Sequence, residues 1–229
     1  MRRLLTLTTA LVLALSAGAG LTNAGTSGGC SGAGQCRTSG LGMSASWFGV
    51  PLDGPVVGVV YTDTFVSAGT TMSVSRGTRT ATAGAWFSQF SYRYDDLTTK
   101  PTPVGESFST DIGPDVVVKV DRSLGTATVS GTVMMVTCTI DPSYNETCAD
   151  PVATTVSGTW TATGARLQMV STNHAKGPGF TINETFQGLD RQATASATIG
   201  GLAVPGSIGF GDIYDSQSNS VTLCRAPAC

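Results

Sequence analysis

Residues 86–94 hold five aromatic rings (Trp86, Phe87, Phe90, Tyr92 and Tyr94) and are followed at once by Asp95 and Asp96. Flat rings stack on sugar or aryl faces, and charged groups beside them supply directional hydrogen bonds. In an extended chain, Trp86, Phe90, Tyr92 and Tyr94 share one face, while Phe87, Gln89, Ser91 and Arg93 take the other. The ligand-binding set expected from this stretch is therefore Trp86, Phe90, Tyr92, Arg93, Tyr94 and Asp96. The two tyrosines are better placed than Trp86, because phenol oxygens seek water or a partner. The competing expectation is a core strand whose aromatic face is buried against a second sheet.

Catalytic chemistry has little to work with. His174 is the only histidine, so any Ser-His-Asp or Cys-His arrangement must use it. It is expected at a strand end entering the Gly177-Pro178-Gly179 loop. No Gly-x-Ser-x-Gly elbow accompanies it, so no nucleophile stands out. A carboxylate mechanism needs two acids facing one another across a cleft. Asp95 and Asp96 adjoin on one strand and point apart, the glutamates are only Glu106, Glu146 and Glu184, and nothing supports a pairing such as Asp96 with Glu184. No catalytic residue is nominated.

Metal chemistry fares no better. Residues 211–219 gather oxygen groups as a calcium loop would, but lack the alternating acids and distal glutamate of an EF-hand. A polar turn between the last two strands is the plainer expectation. With one histidine and no Cys-x-x-Cys pair, structural zinc is not expected. Neither a metal nor another cofactor is predicted. The formal charge is -2, and loss of Arg2 and Arg3 with the leader makes it -4. A mildly acidic chain without a basic stripe is a poor nucleic-acid partner.

The six cysteines fall in local couples, Cys30/Cys36, Cys138/Cys148 and Cys224/Cys229. An even count in an exported chain reads as disulfides. The couple at Cys138 and Cys148 is the clearest, because it brackets a turn-rich stretch, Asp141-Pro142-Ser143-Tyr144-Asn145, between two strand-like runs. Export itself is read from the N-terminus. Met1, Arg2 and Arg3 form a positive start, residues 4–17 an apolar core, and Thr22-Asn23-Ala24 a small-residue exit, the parts of a secretory signal peptide. Cleavage is expected after Ala24, with Ala19 as the alternative. No comparable apolar run follows, so the mature chain is expected to carry no membrane span. The ten arginines against three lysines, with abundant Gly, Ala and Thr, suggest a bacterial source of high GC content.

These residues need strands to position them. Threonine and valine abound beyond the leader while leucine is scarce, which favours pleated sheet, and the recurring pattern is period-2 alternation. Val116, Val118 and Val120 alternate with Val117, Lys119 and Asp121, the residues 122–125 read as a turn, and 126–140 return as a long strand: a hairpin. A second long run covers 152–163, and further strands are expected at 44–50, 56–66, 71–75, 83–94, 166–172, 179–186, 192–199, 207–214 and 220–224. Gly/Pro/Asp clusters punctuate them, including Pro101-Thr102-Pro103. The segments 127–133, 154–160 and 193–199 echo one another as small and hydroxyl residues ending in a large apolar one. Gly84-Ala85-Trp86 and Gly158-Thr159-Trp160 repeat a Gly-x-Trp string, a slight pointer to a ligand-holding barrel.

The organisation predicted is a signal peptide at 1–24, a flexible Gly/Ser-rich arm at 25–43 with Cys30 and Cys36, and one all-β domain at 44–229. That domain is expected to be a single disulfide-stabilised antiparallel β-sandwich or β-barrel. The leading functional expectation is a secreted, non-enzymatic binding or structural module that meets a glycan, wall polymer or protein outside the cell. The alternatives are a secreted hydrolase using carboxylates or His174, and a small-molecule-carrying barrel.

Overall fold

The computed structural model describes residues 34–51, 54–75, 78–204 and 207–224. They form eleven strands and, among the described residues, no helix. In chain order these are β1 (Gly34–Pro51), β2 (Val60–Ser75), β3 (Thr78–Arg93), β4 (Thr102–Ile112), β5 (Val117–Val120), β6 (Thr126–Ile140), β7 (Glu146–Cys148), β8 (Val152–Gly177), β9 (Phe180–Ile199), β10 (Leu202–Ala203) and β11 (Ser207–Cys224).

All pairings between these strands are antiparallel, and eight strands close on themselves. β1 pairs β2, β2 pairs β3, β3 pairs β4, β4 pairs β6, β6 pairs β8, β8 pairs β9, β9 pairs β11, and β11 returns to β1. The sequence left sandwich and barrel open; the pairing makes it a barrel. Directly opposed residues lead from Phe87 through Val66, Trp47, Gly211 and Ala193 to Ala162 on β8. In the other direction Ser109, whose hydroxyl accepts the Phe87 amide, leads through Met135 to Val152, ten residues away on the same strand. That stagger tilts the strands and leaves each strand's end overhanging one neighbour.

Alternation sets the two faces of the wall. Trp47, Val66, Phe87, Val129, Val133, Val156, Trp160 and Ile213 are buried together inside. The Trp160 indole donates to the Ser46 carbonyl on the far side at 2.9 Å, and its ring lies 3.0 Å from where a Cβ on Gly158 would stand. One Gly-x-Trp string is thus a packing device, glycine making room for indole. The other is not: nothing lies within 4 Å of a Cβ built on Gly84, and Trp86 is 44% exposed.

The hairpin read at residues 116–140 exists as β5 and β6. Val116, Val118 and Val120 pack on the core while Val117 is exposed. The hairpin folds inward, so β5 packs across β1, β2 and β3 and the buried Leu124 plugs that end. The three echoing segments lie side by side in β6, β8 and β9.

Several expectations change. Residues 34–43 of the expected arm belong to β1 and are paired to β11 and β2; the valines that read as the start of the second strand, Val56 to Val59, instead form an exposed turn before β2. β4 was not expected, because Pro101-Thr102-Pro103 at its start read as punctuation. Pro103 is accommodated where the ladder shifts register opposite Tyr92. The pairs of strands expected on either side of 163–166, 186–192 and 214–220 are continuous in β8, β9 and β11, so 211–219 is strand and not a turn. Cys138 and Cys148 are bonded, directly opposed on β6 and β7. Cys36 is also in a disulfide, whereas Cys30, Cys229 and the Cys224 side chain, with the couples expected of them, lie outside the described residues, as does the leader.

Candidate functional site: the outer face of β2, β3 and β4

Because Val66 and Phe87 point inward opposite one another, their sequence neighbours point out. Trp86, Phe90 and Tyr92 of β3 therefore lie on the outer face, with Tyr61 and Asp63 of β2 opposite Tyr92 and Phe90. On β4, Glu106 opposes Phe90 and Phe108 opposes Ser88. Phe90 is thus flanked by a carboxyl on each side, Asp63 and Glu106. The expected aromatic face is real, but it is not the core: Phe87, one residue out of phase, is the ring that fills the barrel.

The rings touch. Trp86 stacks on Phe108 (centroids 6.3 Å, 15° between planes) and Phe90 on Tyr92 (6.1 Å, 28°). Tyr61 stacks on Tyr92 at 6.1 Å, and Tyr94 meets both edge-on at 6.1 and 5.9 Å. The Tyr61 hydroxyl accepts the Val56 amide (2.8 Å) and donates to the Gly54 carbonyl (3.0 Å), pinning the rim loop over the cluster. The Tyr92 hydroxyl donates to Asp63 Oδ1 at 3.1 Å.

This setting perturbs both acids. Burial raises the Asp63 carboxyl above the usual aspartate value, partly offset by the Tyr92 hydrogen bond. The Tyr92 phenol is pushed above the ordinary tyrosine range by burial first, then by the Asp63 charge and hydrogen bond. Glu106 is raised by burial, then by the charge and hydrogen bond of Glu146. Two carboxyls that hold their protons to higher pH can donate to, as well as accept from, a ligand hydroxyl.

Of the six residues expected to bind, four share this face and two do not join it. Arg93 donates to Asp95 at 2.8 Å, and both side chains are solvated. Asp96 accepts the Thr98 amide at 2.8 Å, a turn contact that lowers its pKa. Its carboxylate is occupied in holding the β3–β4 loop. Tyr61, Asp63, Glu106 and Phe108 went unread as site residues. The alternation of Tyr61, Asp63 and Phe65 could have signalled a partner strand, but which strand lies beside 86–94 is a tertiary fact.

The catalytic alternatives are scattered. His174 sits within β8, not in a loop, with Nδ1 hydrogen-bonded to the Asn183 side-chain carbonyl; its partner is an amide rather than a carboxylate. Glu184 receives the Asn173 amide at 3.3 Å near the β8–β9 hairpin tip, at the opposite end of the barrel from Asp96. Asp212 and Asp215 point to opposite faces of β11, flanking the inward Ile213 and the outward Tyr214, and cannot ligate one ion. Burial raises both. The Cys138 and Cys148 sulfurs lie within 4.8 Å of a Glu146 oxygen, but both are consumed in their disulfide. The sequence matches no family model, and no curated protein matches it either.

Proposed function

We propose that the mature chain is an exported, non-enzymatic binding module of a bacterium, acting outside the cell, and that the outer face of β2, β3 and β4 holds a ring-shaped, hydroxyl-rich ligand: a glycan or wall polymer. The observation that carries this is the line of half-exposed rings, Trp86 on Phe108 beside Phe90, with Asp63 and Glu106 on either side of Phe90. Sugar rings present C–H faces that stack on aromatic planes and hydroxyls that need hydrogen-bonding partners within reach. The leader-like N-terminus and the disulfides support export, since such bridges persist in oxidising compartments.

A carrier with its ligand inside the ring is less well supported, because Trp47, Phe87, Trp160 and Ile213 fill the interior. The test is retention of the mature protein on glycan arrays and purified wall polymer, followed by titration of tryptophan fluorescence. Trp86→Ala, Phe90→Ala and Tyr92→Ala should each weaken binding by about tenfold, the cost of one stacked ring. Retention no greater than a control protein, or variants that bind as well as the parent, would defeat the proposal.

A second reading draws on the same two acids. Asp63 and Glu106 stand on one face, each directly opposite Phe90 from the strand on either side of it, and glycoside hydrolysis uses two carboxyls that face a common substrate. On that reading, Asp63→Asn and Glu106→Gln abolish hydrolysis of aryl glycosides while His174→Ala leaves it unchanged. No hydrolysis by the parent protein removes it.

A further inference from the structure

β6 accompanies β8 only as far as Thr161, opposite Thr126. The next position is taken by the β5–β6 turn: the Ala162 amide donates to the Gly125 carbonyl at 2.9 Å, and Arg166 reaches the Ser123 carbonyl. After a register shift, β8 resumes at Arg166 and pairs regularly with β9 as far as Gly177. On its other side, among the described residues, no strand lies beside 166–177. A backbone edge of this length offers a row of unpaired amides and carbonyls, which natural sheets normally guard with charge, proline or a bulge. Here the centre is unguarded. Leu167, Met169 and Val170 are 60%, 49% and 59% exposed, and residues 167–173 carry no charge.

We infer that this edge pairs with the same edge of a second copy of the chain, antiparallel about a twofold axis at Met169. That register sets Met169 on its mate, Gln168 opposite Val170, and Leu167 opposite Ser171. It places Arg166 opposite Thr172, so no cation faces another. A parallel in-register pairing would instead stack Arg166 on Arg166 and Lys176 on Lys176, and like charges directly opposed destabilise a sheet. The other free edge, 78–86 of β3, carries Arg79 and small side chains up to Trp86, and gives a second copy little to bury. Pairing of β8 with β3 of the next copy would also be heterologous, closing only as a ring and otherwise propagating as a filament. The isologous pairing is closed and joins two sheets into one.

Sedimentation equilibrium of the full mature chain tests this. The expected mass is that of two chains, and Leu167→Lys and Met169→Lys each raise the dissociation concentration by about tenfold or more, with the circular dichroism spectrum unchanged. Met169→Cys should give a covalent dimer that reductant reverses, while Thr82→Cys on β3 should not. A mass of one chain at every concentration overturns the inference. So does a dimer insensitive to both lysine variants, or cross-linking through Thr82→Cys in place of Met169→Cys.

Discussion

Trp160 ties two walls of the barrel through a single hydrogen bond to the Ser46 carbonyl. Its replacement separates packing from polarity. Trp160→Phe keeps most of the buried area but leaves that carbonyl without its donor, and should cost about 1–3 kcal/mol. Trp160→Ala also opens a cavity and should cost about 3–5 kcal/mol; denaturant midpoints measure both, and a Trp160→Phe protein as stable as the parent would mean that the indole N–H contributes nothing. Asp63 belongs to the same scale. An acid whose folded pKa is raised above its unfolded value stabilises the fold while protonated, a contribution fully present below the unfolded pKa and lost as pH rises through the folded one. Asp63, Glu106, Asp212 and Asp215 all shift in this direction. Melting temperature should therefore fall as pH climbs from about 4 towards neutrality, and Asp63→Asn, which mimics the protonated form, should flatten that slope. A slope unchanged in the variant would place the titration elsewhere.

At the scale of elements, the β5–β6 hairpin depends on one glycine. Gly131 has φ +146°, and a Cβ there would stand 2.6 Å from the Val116 backbone. Gly131→Ala should push β5 off the core and cost about 1–3 kcal/mol; a neutral substitution would show that β5 adjusts freely. The β6–β7 bridge closes a short loop, with a sequence separation of 10. Replacing Cys138 and Cys148 together by alanine should cost about 2–3 kcal/mol, read from chemical denaturation. Both features were legible in outline, because alternating valines around a turn and cysteines bracketing a turn are local signals. β4 was not legible. Its Pro103 is a poor strand residue in isolation and is tolerated because it sits at a register shift. The continuity of β11 through residues 215–219 was hidden for a similar reason: polar, turn-forming residues read locally as a turn, but pairing with β1 on one side and β9 on the other holds them extended.

The whole molecule divides into a closed half and an overhanging half. Around Trp47, Phe87 and Trp160 every neighbouring strand is present, whereas β3 before Ser88 and β8 after Ala162 each have one free side among the described residues. Opening free energies should follow this division. Amides of β6 and of β8 near Trp160 should exchange with solvent slowest, and the outward amides of 78–86 on β3 much faster. Hydrogen exchange by mass spectrometry checks this, and uniform protection would contradict it. On β8 the inward Val156 and Trp160 alternate with the outward Thr155, Ser157, Thr159 and Thr161. That is the reverse of the polar-in, apolar-out pattern of barrels that span membranes.

The order of residues alone determined that the chain would be extended and which side chains would share a face, because a period of two is a property of each strand by itself. It also marked the aromatic run and the Cys138–Cys148 bridge. Only the tertiary structure decided that the sheet closes, that the Trp86 face looks outward while Phe87 looks in, and that Asp63 and Glu106 come to flank Phe90. Alternation defines two faces but not which is inside. That choice follows from staggered pairings between strands distant in the chain, where burying Trp160, Phe87 and Ile213 together outweighs any local preference.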